Sequence, residues 1–272
     1  MKKALNIEVA GVCSLITVKN EDDFMLLNSM FGDFSSHAEP HFMMDILSEI
    51  ESSLNMPEED LVALHSDLEI GIRREGENKF KIFSQTGEMG EIDMKDGKCC
   101  FCGTPGFLFT SFYRTCFQIF LLKQKGFLLH ACGVISDGRG YIFTGPSGSG
   151  KSTIASLSKG RRVLSDESVC IKRRNGSYYL HPAPFDKWEM GSAKLEAIFF
   201  PRRGGEVEFV KVLPAKASLN ILPNLVNSFF NGEIGGELIS VIADVSSLVS
   251  AYEMYFPLEA LIWDKIKGLE ER

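Results

Sequence analysis

At 272 residues the chain is long for one domain and comfortable for two, with enough length to bury a sizeable core. Its 44% hydrophobic and 24% charged residues are the ordinary balance of a soluble globular protein. A net charge of −7 argues against broad binding to nucleic acid or anionic membranes, which requires a basic face.

Glu8 interrupts the N-terminus before any signal-peptide apolar region forms, and the most apolar window, Phe117 to Leu122, is far shorter than the roughly 20 residues of a bilayer span. The expectation is a cytoplasmic protein with no membrane and no nucleic acid as partner. Seven cysteines, an odd number in such a chain, argue against a disulfide framework. The run Cys99-Cys100-Phe101-Cys102 has no second half of a zinc site and reads as a strand after the turn Lys95-Asp96-Gly97. His37 and His41 are separated by Pro40 and make no metal motif.

In chain order, Leu5 to Val18 predicts one or two strands around Gly11, and Glu21 to Phe31 a helix with an acidic start. His41 to Ile50 fits a strand or a short helix, and Pro57-Glu58-Glu59-Asp60 opens another short helix. Leu68 to Arg73 with Lys79 to Phe83, and Met89 to Met94 with Lys98 to Cys102, predict two hairpins. After the break at Thr104-Pro105-Gly106, Ser111 to Lys125 predicts a helix apolar nearly all round, buried between two halves and ended by Gly126. The division expected is a strand-rich α+β domain over 1–108 and a second domain over 109–272.

The second domain opens with a strand, Phe127 to Ile135, and a turn, Asp137-Gly138-Arg139-Gly140, that leads into the strand Tyr141-Ile142-Phe143-Thr144. There follows Gly145-Pro146-Ser147-Gly148-Ser149-Gly150-Lys151-Ser152-Thr153, which matches the phosphate-binding P-loop G-x-x-x-x-G-K-[ST]. Glycines let successive backbone N–H groups wrap an anion, and the helix start adds unpaired donors and partial positive charge. In this pattern Lys151 reaches the β- and γ-phosphates and the Ser152 hydroxyl ligates Mg²⁺. A hairpin centred near Gly138 places His130 opposite about Pro146, at the mouth of the loop. Arg162 to Glu167 predicts a short strand ending in two carboxylates, with Asp166 fifteen residues beyond Lys151. A hairpin around Asn175-Gly176 follows, then strand Ala197 to Phe200, strand Val207 to Val212, helices Pro214 to Phe230 and Glu237 to Ser246, strand Val249 to Phe256, and helix Leu258 to Leu269. Arg202, Arg203, Lys187 and Lys194 are further candidates for contacts with phosphate or substrate.

A transporter-type ATPase signature and a GTPase N-K-x-D motif are both absent. Leu128-Leu129-His130-Ala131, the loop Gly145 to Ser152, and Leu164-Ser165-Asp166-Glu167 together resemble the HPr kinase/phosphorylase catalytic domain and its relatives of phosphoenolpyruvate-carboxykinase-like fold. The resemblance spans roughly 109–272 and is strongest from His130 to Pro184. It implies a mixed α/β, β-rich P-loop domain behind the smaller α+β one, and Mg-ATP-dependent phosphorylation of a hydroxyl. Asp166 takes the part of the base, Glu167 that of a metal or water contact, and His130 and Lys151 complete the catalytic set. The second acid is Glu167 where the family usually has aspartate, and no glycine-arginine signature follows Pro184. The first hundred residues do not look like those of the HPr-specific enzymes, which points the acceptor away from HPr and toward a serine or other hydroxyl of a different protein, a peptide or a metabolite. A homo-oligomer is left open. The reading from another class is a non-catalytic ATP-binding sensor; an intact Lys151, Ser152 and Asp166 favour the kinase.

Overall fold

The computed structural model describes residues 2–47, 70–84, 87–186, 188–226, 232–257 and 262–270. The helix expected from Pro57 lies outside them, as do Leu68 and Glu69 of the first expected hairpin. The described chain is a mixed α/β protein with two β-rich sheets, one in each of two compact units. Among the described residues no helix is long and apolar enough to cross a membrane.

The first unit comprises Met1–Gln124 with Asn227–Ile234. Strands β1 (Lys3–Val9) and β2 (Val12–Val18) join at Ala10-Gly11, whose φ values of 51° and 70° make the left-handed two-residue turn that suits strand twist. Helix α1 (Glu21–Phe31) begins where the sequence predicts, because the Asn20 side chain accepts from the Asp23 N–H at 2.8 Å. The ambiguous stretch after His41 resolves as strand β3 (Phe42–Leu47), with Phe42, Met44 and Ile46 alternately buried. Strands β4 (Gly71–Arg74), β5 (Lys79–Ser84), β6 (Gly87–Asp93) and β7 (Lys98–Cys102) complete a seven-stranded sheet in the order β1-β2-β3-β7-β6-β5-β4. The cysteine run is a strand as expected: Cys99 and Phe101 are buried, while Cys100 and Cys102 lie on the other face. Partial burial pushes the Cys100 thiol up to about 12, so it holds its proton at neutral pH.

Helix α2 (Phe107–Lys123) starts earlier than expected and belongs to this unit, which therefore runs past 108 to Gln124. Its aromatic residues account for the assignment. Phe120 stacks on Phe42 at 4.4 Å, Phe109 and Phe112 meet Phe101, and the Tyr113 ring meets Phe31. The buried Tyr113 hydroxyl is satisfied by Ser14 Oγ at 2.9 Å. The left-handed residue after the helix is Lys125 (φ 58°), one before the predicted Gly126, which already pairs with Lys172 in the next sheet.

The second unit comprises Lys125–Val226 with Gly235–Arg272. Its organising strand is β8 (Gly126–Ser136), eleven residues long and buried through most of its length. One edge pairs antiparallel with β9 (Arg139–Thr144) through the turn Asp137-Gly138, φ 50° and 77°. Along the other edge run β10 (Arg162–Ser165) and then β11 (Ser168–Arg174), and Ser165↔Gly133 and Ser168↔His130 belong to one register. These two strands are thus a single strand interrupted at Asp166-Glu167. The expected strand ends at Ser165, and the acids occupy the break instead of the strand's last positions.

Strand β12 (Ser177–Pro182) returns along β11, and the long β13 (Ala193–Arg203) pairs with β12, with β9 and with β15 (Ser250–Phe256), while β14 (Glu208–Val212) covers the far edge. The pairings β8–β9–β13–β12–β11–β8 close on themselves, which removes those strands' free edges. The expected helix from Pro214 is shorter, α4 (Pro214–Ile221), because a 3₁₀ turn with Pro223 follows. Helix α5 (Gly232–Leu248) begins five residues before the expected start, and α6 (Ile262–Glu270) covers the last expected helix except 258–261, which lie outside the described residues. Helix α3 (Lys151–Leu157) sends Ile154 into a core with Cys132, Val134, Tyr141, Phe143, Phe199 and Trp263. Phe143 stacks on Phe199 at 5.2 Å, and the Trp263 indole closes over both Tyr141 and Phe143.

Candidate functional site

Two features of β8 bring the sequence-predicted residues together. On one edge the hairpin register pairs Ala131 with Thr144, so Gly145, the first loop residue, falls beside His130. The Thr144 hydroxyl donates to the His130 carbonyl at 2.9 Å and fastens that end of the hairpin. On the other edge the Ala131 N–H donates to the Glu167 carbonyl at 3.1 Å, so the acid pair lies alongside the same histidine. The expected pairing near Pro146 is off by a single residue.

The break that carries the acids is built by Ser165. Its Oγ accepts from the Glu167 and Ser168 N–H groups, each at 3.1 Å, a local side-chain turn that competes with continued strand. Asp166 is half-buried and Glu167 exposed. Glu167 Oε2 lies 3.7 Å from His130 Nδ1, a contact between partly exposed groups that becomes an ion pair only when the imidazole is protonated. Burial and the Lys151 ammonium push His130 below its ordinary pKa, while Glu167 and Asp186 pull it upward. Asp186 follows Pro184-Phe185 and is bound through the Ser168 hydroxyl, which donates to its Oδ2 at 2.8 Å. Sequence reasoning missed it, since no motif marks a lone aspartate in an irregular segment.

Strand alternation puts Cys132 on the same face as His130. Burial pushes its thiol up to about 12, with the Asp166 charge adding to the rise and Lys151 opposing it. Asp166, Lys151, Glu167 and His130 therefore surround one end of β8.

The glycine loop rises directly from β9. The Ser149 N–H donates to the Pro146 carbonyl at 3.1 Å, and Gly145, Gly148 and Gly150 have φ of 159°, 76° and 107°. Gly150 is constrained twice: a Cβ there would also meet the Phe256 ring at 2.9 Å. Gly150→Ala is expected to destabilise the protein by roughly 2–4 kcal/mol, from backbone strain plus overpacking, read as a lowered urea midpoint at unchanged m-value. An unchanged midpoint would mean that the ring and loop give way freely.

Lys151 is buried, and its Nζ donates to the Gly145 and Pro146 carbonyls at 2.7 and 3.2 Å. Burial lowers its pKa, and the Glu167 charge works against that shift. Pro146, Ser147, Gly148 and Ser152 are exposed, and Thr153 half-buried. Ser149 Oγ is buried without a hydrogen-bond partner. An orphaned hydroxyl inside a loop of left-handed glycines, next to a buried ammonium, suits an anionic ligand that carries acceptor oxygens. The exposed Ser152 hydroxyl and the Glu167 carboxylate offer hard oxygen donors of the kind Mg²⁺ takes.

Lys194 pairs with Arg139 near the hairpin's turn, at the opposite end of β9 from the loop, because β13 begins earlier than its apolar core suggests. Arg202 and Arg203 are exposed at the end of β13, which runs parallel to β9 with Phe199 beside Phe143, so they leave the sheet at the same end as the glycine loop, and Arg203 pairs with Phe256, whose ring lies against Gly150. Lys187 lies outside the described residues.

A family model described as SynChlorMet cassette protein ScmC matches residues 108–235, somewhat under half of the chain, and it is a different family from the one the sequence resembles. No curated protein matches. Among solved structures, the Hpr(Ser) kinase/phosphatase from Coxiella burnetii is similar at 12% identity and a TM-score of 0.31, over 53% of this chain and 94% of that one. At that score the likeness is too loose to carry any residue's role across.

Proposed function

We propose that this chain is a Mg-ATP-dependent phosphotransferase that moves the γ-phosphoryl group to a hydroxyl of a protein, peptide or small metabolite, on a P-loop fold of phosphoenolpyruvate-carboxykinase-like type. One observation carries the reading: strand β8 gathers the buried Lys151, the loop opening at Gly145, and the break Asp166-Glu167 around His130. Phosphoryl transfer asks a protein for positioning and charge neutralisation more than for covalent chemistry. The loop N–H groups from Gly145 to Thr153, with Lys151 released from its two carbonyls, bind the β- and γ-phosphates. Ser149 gains an acceptor for its orphaned hydroxyl. Asp166 takes the proton from the acceptor hydroxyl at its oxygen. His130 holds Glu167 in place beside it. Ser152 and Glu167 would hold Mg²⁺, which would supply further neutralisation of the phosphate charge.

Calorimetric titration with Mg-ATP, followed by measurement of ADP formation and of label passing from γ-labelled ATP to water or into a pool of serine peptides, tests the proposal. One-to-one binding with turnover is expected. Binding without turnover under either condition would turn the reading to an ATP sensor, and no binding would overturn both.

A further inference from the structure

The acid-bearing break is braced from outside by a segment that no sequence motif marks. Between β12 and β13 the chain runs back along β10: the Glu189 N–H donates to the Leu164 carbonyl at 2.9 Å, and Arg162 pairs with Glu189 at 3.4 Å. A Cβ on Gly191 would meet the Arg162 side chain at 2.8 Å, so the backbone lies flush on that strand. The same segment meets β11 where Ser168 Oγ donates to Asp186 Oδ2 at 2.8 Å. Leu164 and Ser168 bracket Ser165, Asp166 and Glu167, so the segment grips the chain immediately before and after the acids. Ser168 is also the residue whose N–H binds Ser165 Oγ and whose register partner is His130. Paired residues point to the same face of a sheet, so Asp186, held by the Ser168 side chain, lies on the face of His130, and its charge pulls on that imidazole.

We infer that Asp186 is a positioning residue for phosphoryl transfer: by holding the Ser168 side chain it fixes the break from which Asp166 and Glu167 project. The inference rests on the proposed phosphotransferase reading. Its role passes through Ser168: it sets where the proposed base stands. Misplacement by about 1 Å at a distance from the chemistry can lower a rate by roughly 10²-fold.

The test is a double-mutant cycle on the full chain. Asp186→Ala and Ser168→Ala are each expected to slow ATP turnover by about 10–100-fold with Mg-ATP affinity unchanged, and the pair together by no more than either alone. Asp186→Asn, which still offers Ser168 an acceptor oxygen, should restore most of the rate. Amide hydrogen exchange provides a readout that does not depend on catalysis. Exchange at the Glu167 and Ser168 N–H groups should quicken by about tenfold in Asp186→Ala and return toward wild type in Asp186→Asn. Additive losses, an asparagine variant as slow as the alanine one, or unaltered exchange would each overturn the inference. A wild-type chain that binds ATP without turning it over would instead sink the phosphotransferase reading, while the exchange data would still decide whether Asp186 braces the break.

Discussion

Asp166→Asn is expected to leave Mg-ATP affinity within about threefold and to slow phosphoryl transfer by roughly 10²-fold or more, the usual scale for loss of a general base. Asparagine keeps the volume and the hydrogen-bonding reach of the carboxylate, so the break held by Ser165 should survive. What disappears is the charge, whose effect already registers on the Cys132 thiol beside it. The measurement is single-turnover transfer from γ-labelled ATP at saturating Mg-ATP. His130→Ala should cost less, because its contact is with Glu167 and a supporting group is worth less than the base it serves. An unchanged rate in Asp166→Asn would remove the catalytic reading and leave nucleotide sensing in its place.

The second large effect is expected at Lys151. Lys151→Met should weaken Mg-ATP binding by about 10–100-fold, the worth of one or more charge-assisted bonds to phosphate. Methionine is the better choice than alanine, since Lys151 is buried and its stem fills space under the loop. The substitution also strips the Gly145 and Pro146 carbonyls of their donor, so a modest loss of stability accompanies the loss of affinity. Calorimetry on folded variant protein separates the two. Equal affinity in the variant would remove the phosphate-binding assignment of the loop.

The strand, glycine loop and helix are legible in the sequence because every signal for them is local: the β-prone run 140–144, the glycines, and the lysine that opens α3. The place of His130 is legible for a related reason. Asp137-Gly138 has only one economical way to turn, and counting back from that turn puts the histidine within one residue of where it lies. The acids are harder to read. Val163 and Leu164 announce a strand, but nothing in the apolar pattern says that Ser165 will spend its hydroxyl on two N–H groups and open the strand there. Asp186 is not legible at all, since its partner Ser168 lies across a whole hairpin and the pairing depends on how β12 leads into β13. The extent of the first unit was obscured for a tertiary reason. Helix α2 looks like a separator by sequence, and only the aromatic rings of Phe31, Phe42 and Phe101 decide where it packs.

The two-residue turn at Asp137-Gly138 stands at the far end of β9 from the glycine loop, about 20 Å away at roughly 3.3 Å per strand residue. It nevertheless acts as the site's alignment gauge. The hairpin register counted from that turn leads to the meeting of His130 and Gly145. A slip of one residue would send the imidazole through to the opposite face of the sheet. The alignment of loop and histidine is therefore set in part from a remote position at the hairpin's tip. A longer turn would have to bulge outward at the tip, because β11 beside β8 and β13 beside β9 hold the faces of both strands.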